Sequence, residues 1–217
     1  MNNSRLLALF CLLTISLIAT GCGGGGGDSP ESRSYLPLEV GNRWDYRMTL
    51  APDVVPAQAA QNQIFDYHET VIGTANLQGE EYYIIQSVRE ATQEYPQLVY
   101  QQARRETEEA IWARVGDPAY DLPVLMLPPT AGETWQDPEA PEFTIATAAV
   151  GDQVTVPAGT YSCVRVEQSW ERPIEGSDPV RMLVKQWFAR GVGVVKDETY
   201  EDDVKTSMIE LLTATIN

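Results

Sequence analysis

The sequence predicts an all-β domain: an antiparallel, strongly curved sheet, arranged as a sandwich or a partly closed barrel, with little helix. Three observations carry that expectation. First, runs rich in β-branched and aromatic residues recur between Gly and Pro turn signals along the chain. Second, several runs carry large apolar side chains at both parities: Tyr82, Ile84 and Val88 oppose Tyr83 and Ile85, and Met208, Leu212, Ala214 and Ile216 oppose Ile209 and Leu211. A sheet with one wet face alternates more cleanly, so curvature and some covering of the outer face are expected. Third, an opening of the form L-P-x-x-x-G-x-x-W at Leu36–Trp44 returns at Leu127–Trp135, 91 residues later.

The elements follow in order. After the turn signal Gly41-Asn42, alternating Trp44, Tyr46 and Met48 place large side chains on one face of a strand. Residues 51–63 have no usable period and read as an exposed loop. Ile64–Ile72 and Glu81–Val88 read as a hairpin bounded by Gly73 and Gly79. Residues 97–115 have helix-favouring composition, yet their apolar residues cluster at the two ends without a continuous 3.6-residue stripe. Two strands joined around Glu106–Glu109 are the better reading. Asp152–Trp170 holds two β-branched runs about the turn Pro157-Ala158-Gly159. Val180–Phe188, Val192–Lys196 and Val204–Ile216 complete the set.

The repeated opening suggests two related halves, residues 35–116 and 126–193. Gly73 and Gly151 would correspond once the 51–63 loop is allowed for, and Trp112-Ala113-Arg114-Val115-Gly116 echoes Trp187–Gly193. Each half would be a meander whose tryptophan enters a shared core.

The N-terminus sets the organisation of the chain. Arg5 precedes a short apolar run that ends in Ala19-Thr20-Gly21-Cys22, and five glycines follow. A basic start, an apolar segment too short to span comfortably and small residues before a cleavage point describe an export signal. Ala19-Thr20-Gly21-Cys22 resembles the lipobox of bacterial lipoproteins. The resemblance implies cleavage between Gly21 and Cys22 and lipidation of Cys22. Residues 1–21 are then the leader, 22–34 the lipidated cysteine with a Gly/Ser-rich tether, and 35–217 a single β domain. Twelve flexible tether residues reach roughly 20 Å. These glycines lack the following helix and the Lys-Ser/Thr pair of a phosphate loop. No second apolar stretch has membrane-spanning length, so the domain is expected to be anchored by lipid alone. One acyl chain would hold it only marginally, and two or more would hold it stably.

The chain has 15 basic and 31 acidic residues; with Arg5 removed in the leader, 14 against 31 leaves a mature charge of −17. Such a surface repels phosphates, which argues against nucleic acid as a partner. The expected partners are the membrane, through the N-terminal lipid, and an unidentified protein or apolar ligand.

Beyond the lipobox, Y-x-P-L-x-x-G-N-x-W-x-Y at Tyr35–Tyr46, V-P-A-G-T-Y-x-C at Val156–Cys163 and W-F-A-R-G-V-G-V-V-K at Trp187–Lys196 resemble a broad group of bacterial lipoproteins and secreted β proteins. That resemblance implies an antiparallel β fold in the cell envelope and transfers no catalytic residue. Gly23 lacks the aspartate that retains enteric lipoproteins in the inner membrane, which favours the outer membrane.

Candidate chemistry is sparse. His68 is the single histidine, sits in a strand run, and has no G-x-S-x-G or S-x-x-K motif to serve. His68 and Cys163 cannot complete a zinc site by themselves. No catalytic residue, metal or cofactor is expected. With Cys11 in the leader and Cys22 lipidated, Cys163 is left as a small buried hydrophobe. The acidic run Asp197–Asp203 lacks a spaced calcium loop and reads as a solvated turn. Trp44, Trp112, Trp135, Trp170 and Trp187 read as core, or as the lining of an apolar groove. Three functions remain: a non-enzymatic envelope binding module, a carboxylate-based hydrolase, and a structural or adhesive surface module.

Overall fold

The computed structural model describes residues 34–52, 62–116, 119–137, 139–141 and 143–217. Leader, Cys22, tether up to residue 33 and most of the 51–63 loop lie outside the described residues. The first six strands are β1 (Arg43–Leu50), β2 (Gln63–Leu77), β3 (Glu80–Arg89), β4 (Leu98–Glu106), β5 (Ala110–Val115) and β6 (Tyr120–Met126). The second six are β7 (Thr134–Gln136), β8 (Thr144–Val156), β9 (Gly159–Arg172), β10 (Val180–Ala189), β11 (Gly193–Glu201) and β12 (Val204–Thr215). They form one antiparallel sheet in the order β6-β5-β4-β3-β2-β1-β12-β11-β10-β9-β8-β7. Every ladder joins strands consecutive in sequence except the central one, where β1 pairs with β12 from Arg43 opposite Thr215 to Leu50 opposite Ser207. The expected all-β class is what the chain adopts.

Curvature comes from bulges, which add a residue to one strand and sharpen its twist. Ladders shift register between Asp45 and Tyr46, between Val71 and Gly73, and twice in β8, at Thr147/Ala149 and Val150/Asp152. Curling brings the two edges, β6 and β7, towards each other without a ladder: Trp135 Nε1 donates to Pro123 O at 2.7 Å and the Tyr120 hydroxyl to Asp137 Oδ2 at 2.6 Å. Pro123 explains the open seam. It has no N–H to offer a neighbouring strand, and prolines inside sheets belong at edges for that reason. The same proline hides β6 from a reading of apolar alternation, which assigned no strand there.

Inside the curl, Trp44, Tyr46, Met48 and Leu50 of β1 point inward at alternate positions and are all buried. They pack with Phe65 of β2, Ile111 of β5, Leu125 of β6, Ile145 of β8, Val166 of β9, Phe188 of β10 and Leu211 of β12. One core therefore draws on both halves of the chain. Ala158, at the tip of the β8–β9 hairpin, donates its N–H to Leu211 O at 3.0 Å and closes one end.

Several segment boundaries differ from expectation, and β8 already begins at Thr144, ahead of Asp152. β2 runs through Gly73 to Leu77, because Gly73 falls beside a bulge; the chain reverses at Gln78 and Gly79, with φ of 57° and 94°. The acidic run is no solvated turn over its length: Asp197, Glu198 and Thr199 lie buried in β11, and the reversal occupies only Asp202 and Asp203. The strands expected within 97–115 are β4 and β5.

The twice-occurring L-P-x-x-x-G-x-x-W marks the same hydrogen-bonded turn twice. Gly41 N donates to Val71 O and Asn42 N to Glu39 O; Gly132 N donates to Thr147 O and Glu133 N to Thr130 O, all at 2.8–3.1 Å. Gly41 and Gly132 have φ of 97° and 85°, a conformation that glycine adopts without a Cβ penalty. These bonds set Val71 against Thr147, so Gly73 answers to Ala149 and not to Gly151. Trp112 and Trp187 fall on the fifth strand of one set of six and the fourth of the other.

Candidate functional site

The inward lane of β2 reads Phe65, Tyr67, Glu69, Val71, an acid set among apolar positions. Register carries that lane sideways: Glu69 lies opposite Ser87 on β3, and Ser87 opposite Tyr100 on β4. Glu69 is fully buried. Its Oε1 accepts from the Tyr67 hydroxyl at 2.5 Å and from Ser87 Oγ at 2.8 Å. The Tyr67 and Tyr100 hydroxyls meet at 2.8 Å. Gln102 Nε2 donates to Ser87 Oγ at 3.3 Å, and Arg104 Nη2 donates to Gln102 Oε1 at 2.5 Å. Arg104 is buried, and loss of hydration lowers its guanidinium to about 10, with Glu69, Tyr100 and Tyr67 opposing the shift. The set runs from the half-exposed inner side chains of β4, Leu98, Tyr100 and Gln102, to the buried Ser87 and Glu69.

A second polar line enters from the other half. Gln168 Nε2 on β9 donates to Gln186 Oε1 on β10 at 3.2 Å, and Gln186 Nε2 donates to Asp197 Oδ2 on β11 at 2.9 Å. Burial raises the Asp197 carboxyl to about 7; Glu69 and Glu198 push the same way, and the Gln186 bond opposes them. Tyr46 spans the space between the two lines. Its hydroxyl donates to Val194 O at 3.2 Å, and its own ionisation is suppressed by burial and then by Glu69 and Asp197. The curl thus gathers Glu69, Asp197, Tyr46, Tyr67 and Arg104 from four strands.

The next residue of β11 behaves oppositely. Glu198 points to the outer face, where Lys196 Nζ lies at 2.9 Å, Lys205 Nζ at 2.7 Å and the Tyr200 hydroxyl at 2.6 Å. These donors outweigh desolvation and hold its carboxyl down at about 2. All three lysines of the chain gather on this outer face, with Lys185 lying 5.0 Å from the Tyr200 ring centroid.

The tryptophans do not converge on one groove. Trp44 is sealed in the core; Trp135 bridges the seam; Trp170 stacks on Phe143 at 5.0 Å. Trp112 carries Arg105 over its ring at 5.4 Å, and Trp187 carries Lys196 at 5.2 Å. His68 lies on β2 with Nδ1 3.5 Å from Glu90 Oε1, and burial followed by Arg43 lowers its pKa. Cys163 is buried, and desolvation followed by Asp152 raises its thiol to about 12. Gly21 and Cys22 lie outside the described residues. No group of three or more His, Cys, Asp and Glu among the described residues could hold a metal ion, and no described helix is long and apolar enough to cross a membrane. No sequence motif marks Glu69 or Arg104, and Asp197 enters the sequence reading only as the start of the run Asp197–Asp203. The signal for Glu69 was present as a charged residue in the apolar lane of β2; Asp197 was hidden inside an acidic run.

A DUF3108-like family model matches residues 148–212, from β8 to β12. Among solved structures, a candidate lipoprotein of Parabacteroides distasonis ATCC 8503 is similar at a TM-score of 0.57 with 12% identity, covering 84% of this chain and 99% of that one. A candidate exported protein of Bacteroides fragilis NCTC 9343, described as having a YmcC-like fold, is similar at 0.53 with 13% identity, covering 83% and 98%. These likenesses show a shared fold. No curated protein matches the chain.

Proposed function

We propose that this is a lipid-anchored protein of the bacterial cell envelope, most simply on the outer membrane, whose curled sheet is a non-enzymatic binding module for an apolar ligand. The anchor rests on Ala19-Thr20-Gly21-Cys22 and the glycine tether. Solved relatives of the fold described as lipoprotein and exported protein support that setting. The observation that carries the binding reading is the inner face of β4, where Leu98, Tyr100 and Gln102 keep solvent contact beside the fully buried Ser87 of β3. Ligand pockets are mostly apolar with a few placed polar groups, which Leu98 with the Tyr100 hydroxyl and the Gln102 amide would supply. Tyrosines, and not the dispersed tryptophans, would be the contact residues.

The carboxylate-hydrolase reading has a pair of convergent acids in Glu69 and Asp197. Both are buried, at 0% and 3% exposure, among Tyr46, Tyr67 and Gln186, so a substrate would have no path to them.

Two measurements test the proposal. In a bacterial envelope fraction the mature N-terminal peptide should carry acyl chains on Cys22, and Cys22→Ser should leave the protein unprocessed and without acyl label; an unacylated mature N-terminus sinks the anchor. Native mass spectrometry of the full chain, incubated with extracted envelope lipids, should show stoichiometric adducts that Tyr100→Ala weakens. Absence of adducts shifts the function to a structural surface module.

A further inference from the structure

We propose that the ligand of the β4 face is an apolar chain carrying one anionic head, a carboxylate or a phosphate, and that Arg89 receives the head. The inference rests on the apolar-ligand reading and names the polar end of that ligand. Arg89 is the last residue of β3 and is half-buried. It lies opposite Tyr67 of β2 and Leu98 of β4, so its side chain leaves the sheet on the inner face, beside the half-exposed Leu98 and Tyr100. The guanidinium lies over the Phe65 ring at 4.7 Å, and Tyr95 packs edge-on against the same ring at 5.6 Å. Its Nη2 donates to Pro96 O at 3.3 Å.

Charge singles this residue out. The chain is strongly acidic, and Arg43, Arg105, Arg114, Arg165, Arg172 and Arg181 each pair with a carboxylate. Among the described residues, no carboxylate pairs with Arg89. Glu90, next in sequence, belongs to the other face, where it takes Gln97 Nε2 at 2.7 Å and His68 Nδ1 at 3.5 Å. Glu69, further along the lane, is held by the Tyr67 hydroxyl and Ser87 Oγ. Burial lowers the Arg89 guanidinium from its ordinary value, with Tyr95 and Tyr100 opposing the shift, so the cation has lost part of its hydration with no carboxylate in return. A guanidinium presents paired N–H donors that match a carboxylate or phosphate, and such charge-assisted bonds are strong. The acidic surface repels small free anions. The head therefore supplies selectivity, while the apolar chain, lying against Leu98 and the tyrosine rings, supplies affinity.

The test is equilibrium dialysis of the full chain at pH 8 against labelled dodecanoate, dodecyl phosphate and dodecanol, which share a chain and differ in the head. The wild type should bind one or both anions more tightly than the alcohol, and the tighter anion identifies the head. Arg89→Gln should weaken that binding roughly tenfold to a hundredfold, the worth of hydrogen bonds to a charged group, and leave dodecanol unchanged. Arg47→Gln removes an exposed arginine from the outer face of β1 and should change none of the three affinities. Equal affinities for anions and alcohol in the wild type, or an equal loss of anion binding in the two variants, overturn the assignment to Arg89 and leave the apolar-ligand reading standing. No binding of any of the three sinks that reading and this one together. Should Arg89→Gln fail to fold, guanidinium NMR of the wild type decides: an Arg89 signal that shifts with an anion and not with dodecanol supports the site, and one indifferent to all three refutes it.

Discussion

Replacing Glu198 by Gln isolates what the outer-face charges contribute. Glu198 is 5% exposed, and its carboxylate receives Lys196, Lys205 and the Tyr200 hydroxyl. Its shift from 4.5 to about 2 is worth at most about 3 kcal/mol at 1.36 kcal/mol per unit. Lys205 is 43% exposed and Lys196 22%, so solvent screening reduces the expected value to about 2 kcal/mol. The sign follows from a depressed acid: the contribution is present in full above pH 4.5 and is lost as the pH falls towards 2. Glutamine keeps the shape and an acceptor but not the charge. Urea denaturation followed by tryptophan fluorescence should show the variant less stable by about 2 kcal/mol at pH 7, with the gap closing between pH 5 and pH 2. A gap that stays constant across that range would refute the electrostatic account and leave only altered packing.

Other outcomes follow from single contacts. Asn42 is fully buried, donates to Pro37 O at 2.9 Å and accepts from Asn217 N at 3.0 Å, tying the first turn to the end of the chain. Asn42→Ala should cost about 2 kcal/mol by leaving both backbone groups without that partner, read as a lowered denaturation midpoint at unchanged slope. Trp44→Ala should cost about 3–5 kcal/mol, since the side chain is wholly enclosed and the cavity cannot collapse onto the curved sheet. The Cys163 thiol, buried and raised to about 12, should resist thiol reagents in the native protein at pH 8 and react at once in denaturant. Rapid native-state labelling would place it in an exposed strand position instead.

Much of the fold was legible locally. The period-two lane of Trp44, Tyr46 and Met48, the turn at Pro157-Ala158-Gly159 and the doubled L-P-x-x-x-G-x-x-W are short-range signals, and each specifies backbone geometry within a few residues. Mixed parity at Tyr82–Ile85 also read correctly: Tyr82 is buried on the outer face, its hydroxyl donating to Asp121 with Arg105 over the ring, while Ile85 is buried inside. Gly73 misled because a glycine beside a bulge looks like a glycine in a turn. β6 was missed because Pro123, which makes it an edge, also breaks its apolar pattern.

The candidate site was less legible because its parts are distant in sequence. Glu69 in the lane of Phe65 and Val71 was a local anomaly that could have been flagged. Asp197 and Glu198 are neighbours with the same chemistry in one acidic run, and nothing in that run separates them. Strand parity buries one inside the curl and sets the other under two lysines, so one carboxyl rises to about 7 and the other falls to about 2.

By itself, then, the sequence determined the class of fold and the strand-and-turn order over most of the chain, because each depends on residues a few positions apart. Tertiary structure alone decided that β1 pairs with β12, that the sheet stops at the Pro123 edge, and that Glu69, Arg104 and Asp197 share one interior. The physical reason is that solvation and Coulomb energy depend on distance through space, and curvature from bulges on separate strands sets those distances.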